Sequence, residues 1–147
     1  MNYKILNTNE NIRFAEKLTE NEINEFNQLK QHLEIMFMHK NFNKEIQIGN
    51  KIYPIDGRPE SICRWYLSSD AEKLYYDERL DDYLYDKKDN LNEFLAWLFY
   101  LIHHFFEPRY IRINGICTFN SYKEHYFGKI KIFNNCIEKA IYKLIEL

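Results

Sequence analysis

The stretch Tyr110-Ile111-Arg112-Ile113-Asn114-Gly115-Ile116-Cys117-Thr118-Phe119 carries the clearest local signal in the chain. Two runs rich in isoleucine and aromatic residues flank an Asn-Gly pair. Asn-Gly supplies the two positive φ angles of a type I′ turn, so the stretch predicts a two-residue β-hairpin. Downstream, Gly128 to Phe133 reads as a further strand. Two readings then stand for the last residues. Ile137, Ile141, Leu144 and Ile145 have the spacing of a closing amphipathic helix, which is favoured. Alternatively, Asn134-Asn135 is a second tight turn and Cys136-Ile137 starts a strand.

Upstream of Tyr110, the run from Asn90 to Glu107 predicts a helix. Asn90 can cap it, with Glu93 at the third position. Leu91, Phe94, Leu95, Leu98, Leu101, Ile102 and Phe105 form its core face, and Pro108 ends it. Trp97, Phe99, Tyr100 and Phe106 widen the apolar surface beyond one stripe, which predicts burial on most sides. Further back, the period is two. Glu45-Ile46-Gln47-Ile48 and Lys51-Ile52-Tyr53-Pro54 flank Gly49-Asn50 and predict a hairpin. Asp56-Gly57-Arg58-Pro59 reads as a turn. Ser61 to Leu67 predicts a strand, with Ile62, Arg64 and Tyr66 on one face and Cys63, Trp65 and Leu67 on the other. Leu74-Tyr75-Tyr76 predicts a shorter one.

Two helices are expected to open the chain. Thr8 would cap the first, which carries Ile12, Ala15 and Leu18. Thr19-Glu20-Asn21-Glu22 is a capping box for the second. Ile23, Phe26, Leu29, Leu33, Met36 and Phe37 follow at helical spacing. Together these elements predict an α+β fold: a mostly antiparallel sheet built from hairpins, packed by one long apolar helix, with N-terminal helices. No linker or repeat divides residues 1–147, so a single domain is expected.

Composition narrows the class. Of 147 residues, 46% are hydrophobic and 17% aromatic, which excludes a disordered chain. There is no valine, and lysine, asparagine and isoleucine are abundant. Such residues use AT-rich codons, a hint of bacterial or phage origin. The net charge of −2 gives no overall basic footprint for nucleic acid, so no direct nucleic-acid contact is expected. The longest apolar run, Phe94 to Phe106, is too short to span a membrane. Cys63, Cys117 and Cys136 are odd in number and far apart. They predict free thiols and a reducing, cytoplasmic setting rather than a disulfide framework.

Several segments resemble a family of small, functionally uncharacterised proteins of bacteria and their phages. These are Ile52-Tyr53-Pro54-Ile55-Asp56-Gly57-Arg58-Pro59 leading to Cys63-Arg64-Trp65; Trp97 to Phe105 with Pro108; Ile113-Asn114-Gly115; and Phe127-Gly128-Lys129-Ile130. The likeness covers roughly residues 45–137. Phe119 stands where the family usually has Trp, and the acidic stretch Asp77–Asp89 looks longer than usual. The resemblance implies a hairpin–strand–helix–hairpin order. It transfers no catalytic residue.

No catalytic, cofactor or metal constellation emerges. His103 and His104 are adjacent on a helix and point about 100° apart, so they do not easily share a metal. His103 and Glu107 have i, i+4 spacing but lack further ligands. His32 and His39 sit seven apart. Cys63 and Cys117 lie within expected strands, where a thiol is buried and inert. Gly57 and Gly115 belong to no phosphate loop.

Two surfaces remain. Arg58, Arg64, Arg109 and Arg112 lie near expected turns or on strands of one sheet, Arg64 and Arg112 can share a face, and the guanidinium forks of Arg58, Arg64 and Arg112 suit a phosphate or carboxylate. Alternatively the arginines pair with Asp56, Glu60 and Glu107. The stronger feature is acidic. From Asp70 to Glu93, nine acids face four basic residues, a local balance of −5, so the rest of the chain carries +3. Tyrosines interleave the acids. Tyr75, Tyr76, Asp77, Glu78, Asp81, Asp82, Tyr83, Tyr85 and Asp86 therefore make the expected contact surface for a partner protein with a basic face. Three functions follow, in order: a non-enzymatic interaction module, such as a phage or mobile-element inhibitor of a host defence nuclease; a small-ligand or nucleotide binder using the arginines; and an enzyme.

Overall fold

The capping box at Thr19 closes as expected. The Thr19 N–H donates to Glu22 Oε1 at 2.8 Å, and the Glu22 N–H donates to Thr19 Oγ1 at 3.1 Å. Two of the donors that a helix start leaves orphaned are thereby satisfied. The computed structural model describes residues 3–6, 12–39, 45–48, 51–54, 59, 63–77, 90–121 and 126–143. Helix α1 (Glu20–His39) follows the cap. It buries Phe26, Leu29, Leu33 and Met36, with Ile23 and Phe37 half-buried.

Helix α2 runs Asn90–Leu101, so Asn90, the expected cap, is its first residue. It buries Phe94, Trp97, Leu98, Tyr100 and Leu101. It then widens into a π-helical turn, Ile102–Phe106, and tightens into a 3-10 turn, Glu107–Arg109. The wide turn places Ile102, Phe105 and Phe106 inward, leaving His103 exposed and His104 half-buried. Pro108 sits in the first turn of the 3-10 segment, where its missing N–H costs nothing. Tyr110 then takes a left-handed φ of 58° and ends the helix.

Nine strands are seen among the described residues, and every strand pairing among them is antiparallel. They are β1 (Tyr3–Leu6), β2 (Ile12–Phe14), β3 (Glu45–Ile48), β4 (Lys51–Pro54), β5 (Trp65–Leu67), β6 (Leu74–Tyr76), β7 (Ile113–Ser121), β8 (Tyr126–Phe133) and β9 (Cys136–Lys143). The large sheet runs β1-β7-β8-β9, with β2 also on β7. β3 pairs β4, and β5 pairs β6. The expected hairpin at 45–54 is therefore present, with Ile48 opposite Lys51. β5 is shorter than the expected strand from Ser61, because Cys63 and Arg64 are described outside any strand.

Three expectations are corrected. First, Asn114-Gly115 makes no turn. β7 runs straight through it, with Gly115 between Ile12 of β2 and Ile132 of β8. Ile111, Ile113, Cys117 and Phe119 are all buried, so inward alternation stays in phase across Asn-Gly. A two-residue turn would have inverted that phase. Second, the opening segment is not a helix where it is described. Ile12 and Phe14 alternate with Arg13 on β2 and pair with β7. Only two α-helices are present among the described residues. Third, the last segment is strand β9 and not a helix through Lys143. Residues 144–147 lie outside the described set.

The tight turn lies at Asn134-Asn135, with φ of 47° and 70°. It joins Phe133 to Cys136 directly, which is the geometry first expected of Asn114-Gly115. Its tip folds back on the start of β7. The Ile113 N–H donates to Asn135 Oδ1 at 2.8 Å, and Asn135 Nδ2 donates to Ile111 O at 2.9 Å. The Asn134 N–H donates to Asn114 Oδ1 at 2.9 Å. Asn135→Gly keeps the positive φ at no steric cost and removes only the amide. Thermal melting is expected to drop by roughly 6 °C, the equivalent of about 2 kcal/mol for two lost hydrogen bonds. An unchanged melting temperature would show that these bonds do not hold the turn.

Residues of both helices and all three sheets share one hydrophobic cluster, among them Phe26, Tyr53, Trp65, Phe94, Phe106 and Ile113. Aromatic rings knit it. Phe26 stacks on Phe106 at 6.0 Å and meets Phe105 edge-on at 5.4 Å, which ties α1 to the π-helical turn. Each buried ring contributes roughly 2–3 kcal/mol of transfer free energy. Among the described residues no helix is long and apolar enough to cross a membrane.

Candidate functional site

The acidic segment springs from the β5–β6 hairpin and returns to α2. Its two described roots touch. The Tyr76 ring packs on Phe94 at 5.0 Å, and both pack on Trp65, at 5.3 and 4.7 Å. Trp65 Nε1 donates to Phe94 O at 3.2 Å, and the Asp77 N–H donates to Arg64 O at 2.9 Å. The described residues on either side of 78–89 therefore meet in one aromatic cluster.

Of the nine residues expected at the partner surface, three are described, and they differ. Tyr76 is buried, only 1% exposed, with its hydroxyl accepting from Arg64 Nη1 at 3.2 Å. It anchors the segment and offers no ring to a partner. Tyr75 is half-buried, edge-on to Tyr66 at 5.3 Å, and Asp77 is also half-buried. Glu78, Asp81, Asp82, Tyr83, Tyr85 and Asp86 lie outside the described residues.

Asp70, at the other end of the hairpin, is a turn residue. Ser68 Oγ donates to its Oδ1 at 2.6 Å, and the Glu72 N–H donates to the same oxygen at 3.0 Å. These bonds hold its carboxyl below the usual range, the Ser68 bond most of all. Under the hairpin, Lys30 of α1 lies over the Tyr66 ring at 4.7 Å. Burial lowers its pKa, against an opposing pull from Cys63, Glu34 and Asp77. Burial pushes the Cys63 thiol up to about 11, so it is inert as a nucleophile at neutral pH.

The two described members of the expected arginine site, Arg64 and Arg112, are not brought together. Arg64 is interior and precedes β5, Arg112 is exposed and precedes β7 in a different sheet, and Arg58 is outside the described residues. Arg109 finds its acid on α1: its guanidinium pairs with Glu25, donates to Phe105 O at 3.1 Å and lies 3.9 Å from the Phe105 ring centre. Arg112, Lys17 and Tyr110 help to line a cleft of about 440 Å³ beside the start of α1, together with Glu16 and Glu22. The cleft carries both signs of charge and singles out no ligand.

His103 and His104 lie 4.7 Å apart, ring to ring, and His104 also meets Tyr100 at 4.8 Å. Burial lowers the pKa of His104, helped by His103 beside it. Among the described residues no three His, Cys, Asp or Glu side chains gather as metal ligands. His32 is exposed.

One surface escaped the sequence reading. The outward face of the large sheet presents Phe127, Lys129, Lys131 and Phe133 from alternate positions of β8. Register places Tyr142 opposite Phe127, Ala140 opposite Lys129, and Glu138 opposite Lys131. On the β7 side, Ile116 stands opposite Lys131 and Thr118 opposite Lys129. Phe127 and Tyr142 stack at 5.2 Å and 27°. The sequence signal was the alternation Phe-x-Lys-x-Lys-x-Phe over residues 127–133, legible only once the covered face is known. No protein family, curated protein or solved structure matches the chain.

Proposed function

We propose that the protein is a non-enzymatic interaction module that docks onto a basic protein surface through its acidic, tyrosine-bearing segment. Charge sorting carries the reading: residues 70–93 hold −5 while the rest of the chain holds +3. The clasp of Tyr76 on Phe94 supports it by fixing both ends of the run 78–89 to one point of the core. A negative run held at both ends steers encounter with a positive partner and limits the ordering entropy lost on docking. A basic surface that ordinarily holds nucleic acid is the partner of choice. A phage or mobile-element inhibitor of a host defence nuclease, acting inside a bacterial cell, is the specific form of the proposal.

The test compares the native chain with the Asp81→Lys/Asp82→Lys form in pull-downs from bacterial lysate. The native chain is expected to retain a basic protein that the reversed form loses. The purified pair should then weaken as salt rises, because exposed charges are screened within about 8 Å at physiological ionic strength. Equal recovery of every partner by both forms rejects the acidic-segment reading.

A further inference from the structure

The outward face of β7–β8–β9 carries large side chains that no described part of the fold covers. Phe127 is 41% exposed, Tyr142 46%, Ile116 46% and Phe133 72%. Scattered singly, such residues need no explanation. Here they share one face with Lys129 and Lys131, and Arg13 of β2 joins them through its register with Asn114. The single acid whose placement is described there, Glu138, stands opposite Lys131. The face is therefore locally positive on a chain whose net charge is negative.

The arrangement selects among anions. Alternate residues of a strand stand about 7 Å apart, comparable to the phosphate step of an extended single strand. Phe127 and Tyr142 stack on each other and flank the lysines on one side as a half-exposed aromatic pair that a base can extend, and Phe133 flanks them on the other. A duplex keeps its bases stacked on each other and offers none to such a pair, whereas a single strand does. We propose that this sheet face binds single-stranded nucleic acid, stacking a base on Phe127 and Tyr142 and holding adjacent phosphates with Lys129 and Lys131. This stands apart from the acidic segment and does not depend on it.

Fluorescence anisotropy on the full chain tests it, with a labelled oligothymidylate about 12 nucleotides long and a duplex of equal length. The single strand is expected to bind at least about tenfold more tightly than the duplex. Phe127→Ala/Tyr142→Ala should weaken binding about tenfold or more. Lys129→Gln/Lys131→Gln should flatten the log-affinity versus log-salt slope by about 1.4, and Lys129→Gln alone by about 0.7. All of these positions are surface positions, and thermal melts check that each variant is folded. Absence of binding by the single strand overturns the proposal. So does equal binding of the duplex, or affinity indifferent to both aromatic changes in folded protein. A dimer that Phe133→Ser dissolves, with no oligonucleotide bound, assigns the face to a second copy and overturns it as well.

Discussion

Gly128→Ala is expected to lower the melting temperature by roughly 6–12 °C, the equivalent of about 2–4 kcal/mol. Gly128 stands directly opposite Phe119 in the β7–β8 ladder and is buried. A Cβ there would sit inside the contact distance of Phe119 Cζ and 2.5 Å from the backbone oxygen of Ala140. The ring has little room to retreat, because Phe119 is 1% exposed. The carbonyl belongs to β9, whose pairing with β8 fixes its position. The demand is therefore for space and not for an unusual backbone angle. Phe119→Leu in the Gly128→Ala background should recover part of the loss, since it relieves the ring and leaves the carbonyl. Full recovery would place the whole conflict at Phe119. A cost below about 0.5 kcal/mol would show that the β8–β9 ladder yields easily, against the packing density expected of a protein interior.

Glu25→Ala is the second large effect, at about 2–4 kcal/mol. Its carboxylate holds Arg109, and the two side chains are only 18% and 4% exposed. The guanidinium is wedged over Phe105 and, at 5.2 Å, over Tyr53. Among the described residues Arg109 Nε has no hydrogen-bond partner, so the site already runs short of acceptors. Taking the carboxylate away leaves a desolvated cation, which costs more than the pair itself is worth. The double change Glu25→Ala/Arg109→Met should therefore cost less than the two single changes added together. A coupling of roughly 1.5–3 kcal/mol is expected by chemical denaturation. Strict additivity would mean that water, and not Glu25, balances the arginine. The pair matters because it pins α1 to the 3-10 turn that ends the second helical run.

How much of this was legible in the sequence depends on how far apart the deciding residues stand. Thr19 and Glu22 decide α1 within one turn, and that helix begins as read. The Ile48–Lys51 hairpin and strand β6 are equally local. The failures lie where two periods overlap. Ile137 and Ile141 are four apart, which puts them on one face of a helix and equally on one face of a strand. The choice went to the strand because β8 offered an eight-residue ladder with Cys136–Lys143. Asn114-Gly115 failed for the opposite reason. Its local signal was strong, but Ile111, Ile113, Cys117 and Phe119 kept unbroken alternation, and that non-local burial outweighed the turn propensity. Asn134-Asn135 had the same chemistry without such a constraint and turned. Of the candidate sites, the acidic run was visible as composition. That Tyr76 and Arg64 would be interior was not, because nothing in their spacing says which face of β5–β6 meets α2.

The clasp between Tyr76 and Phe94 has an evolutionary corollary. The entropy of closing a loop grows only with the logarithm of its length, by about 0.6 kcal/mol for each doubling. For closure itself, insertions and deletions between those two rings therefore cost little. Length there can vary between lineages while the two rings that close the interval stay constant.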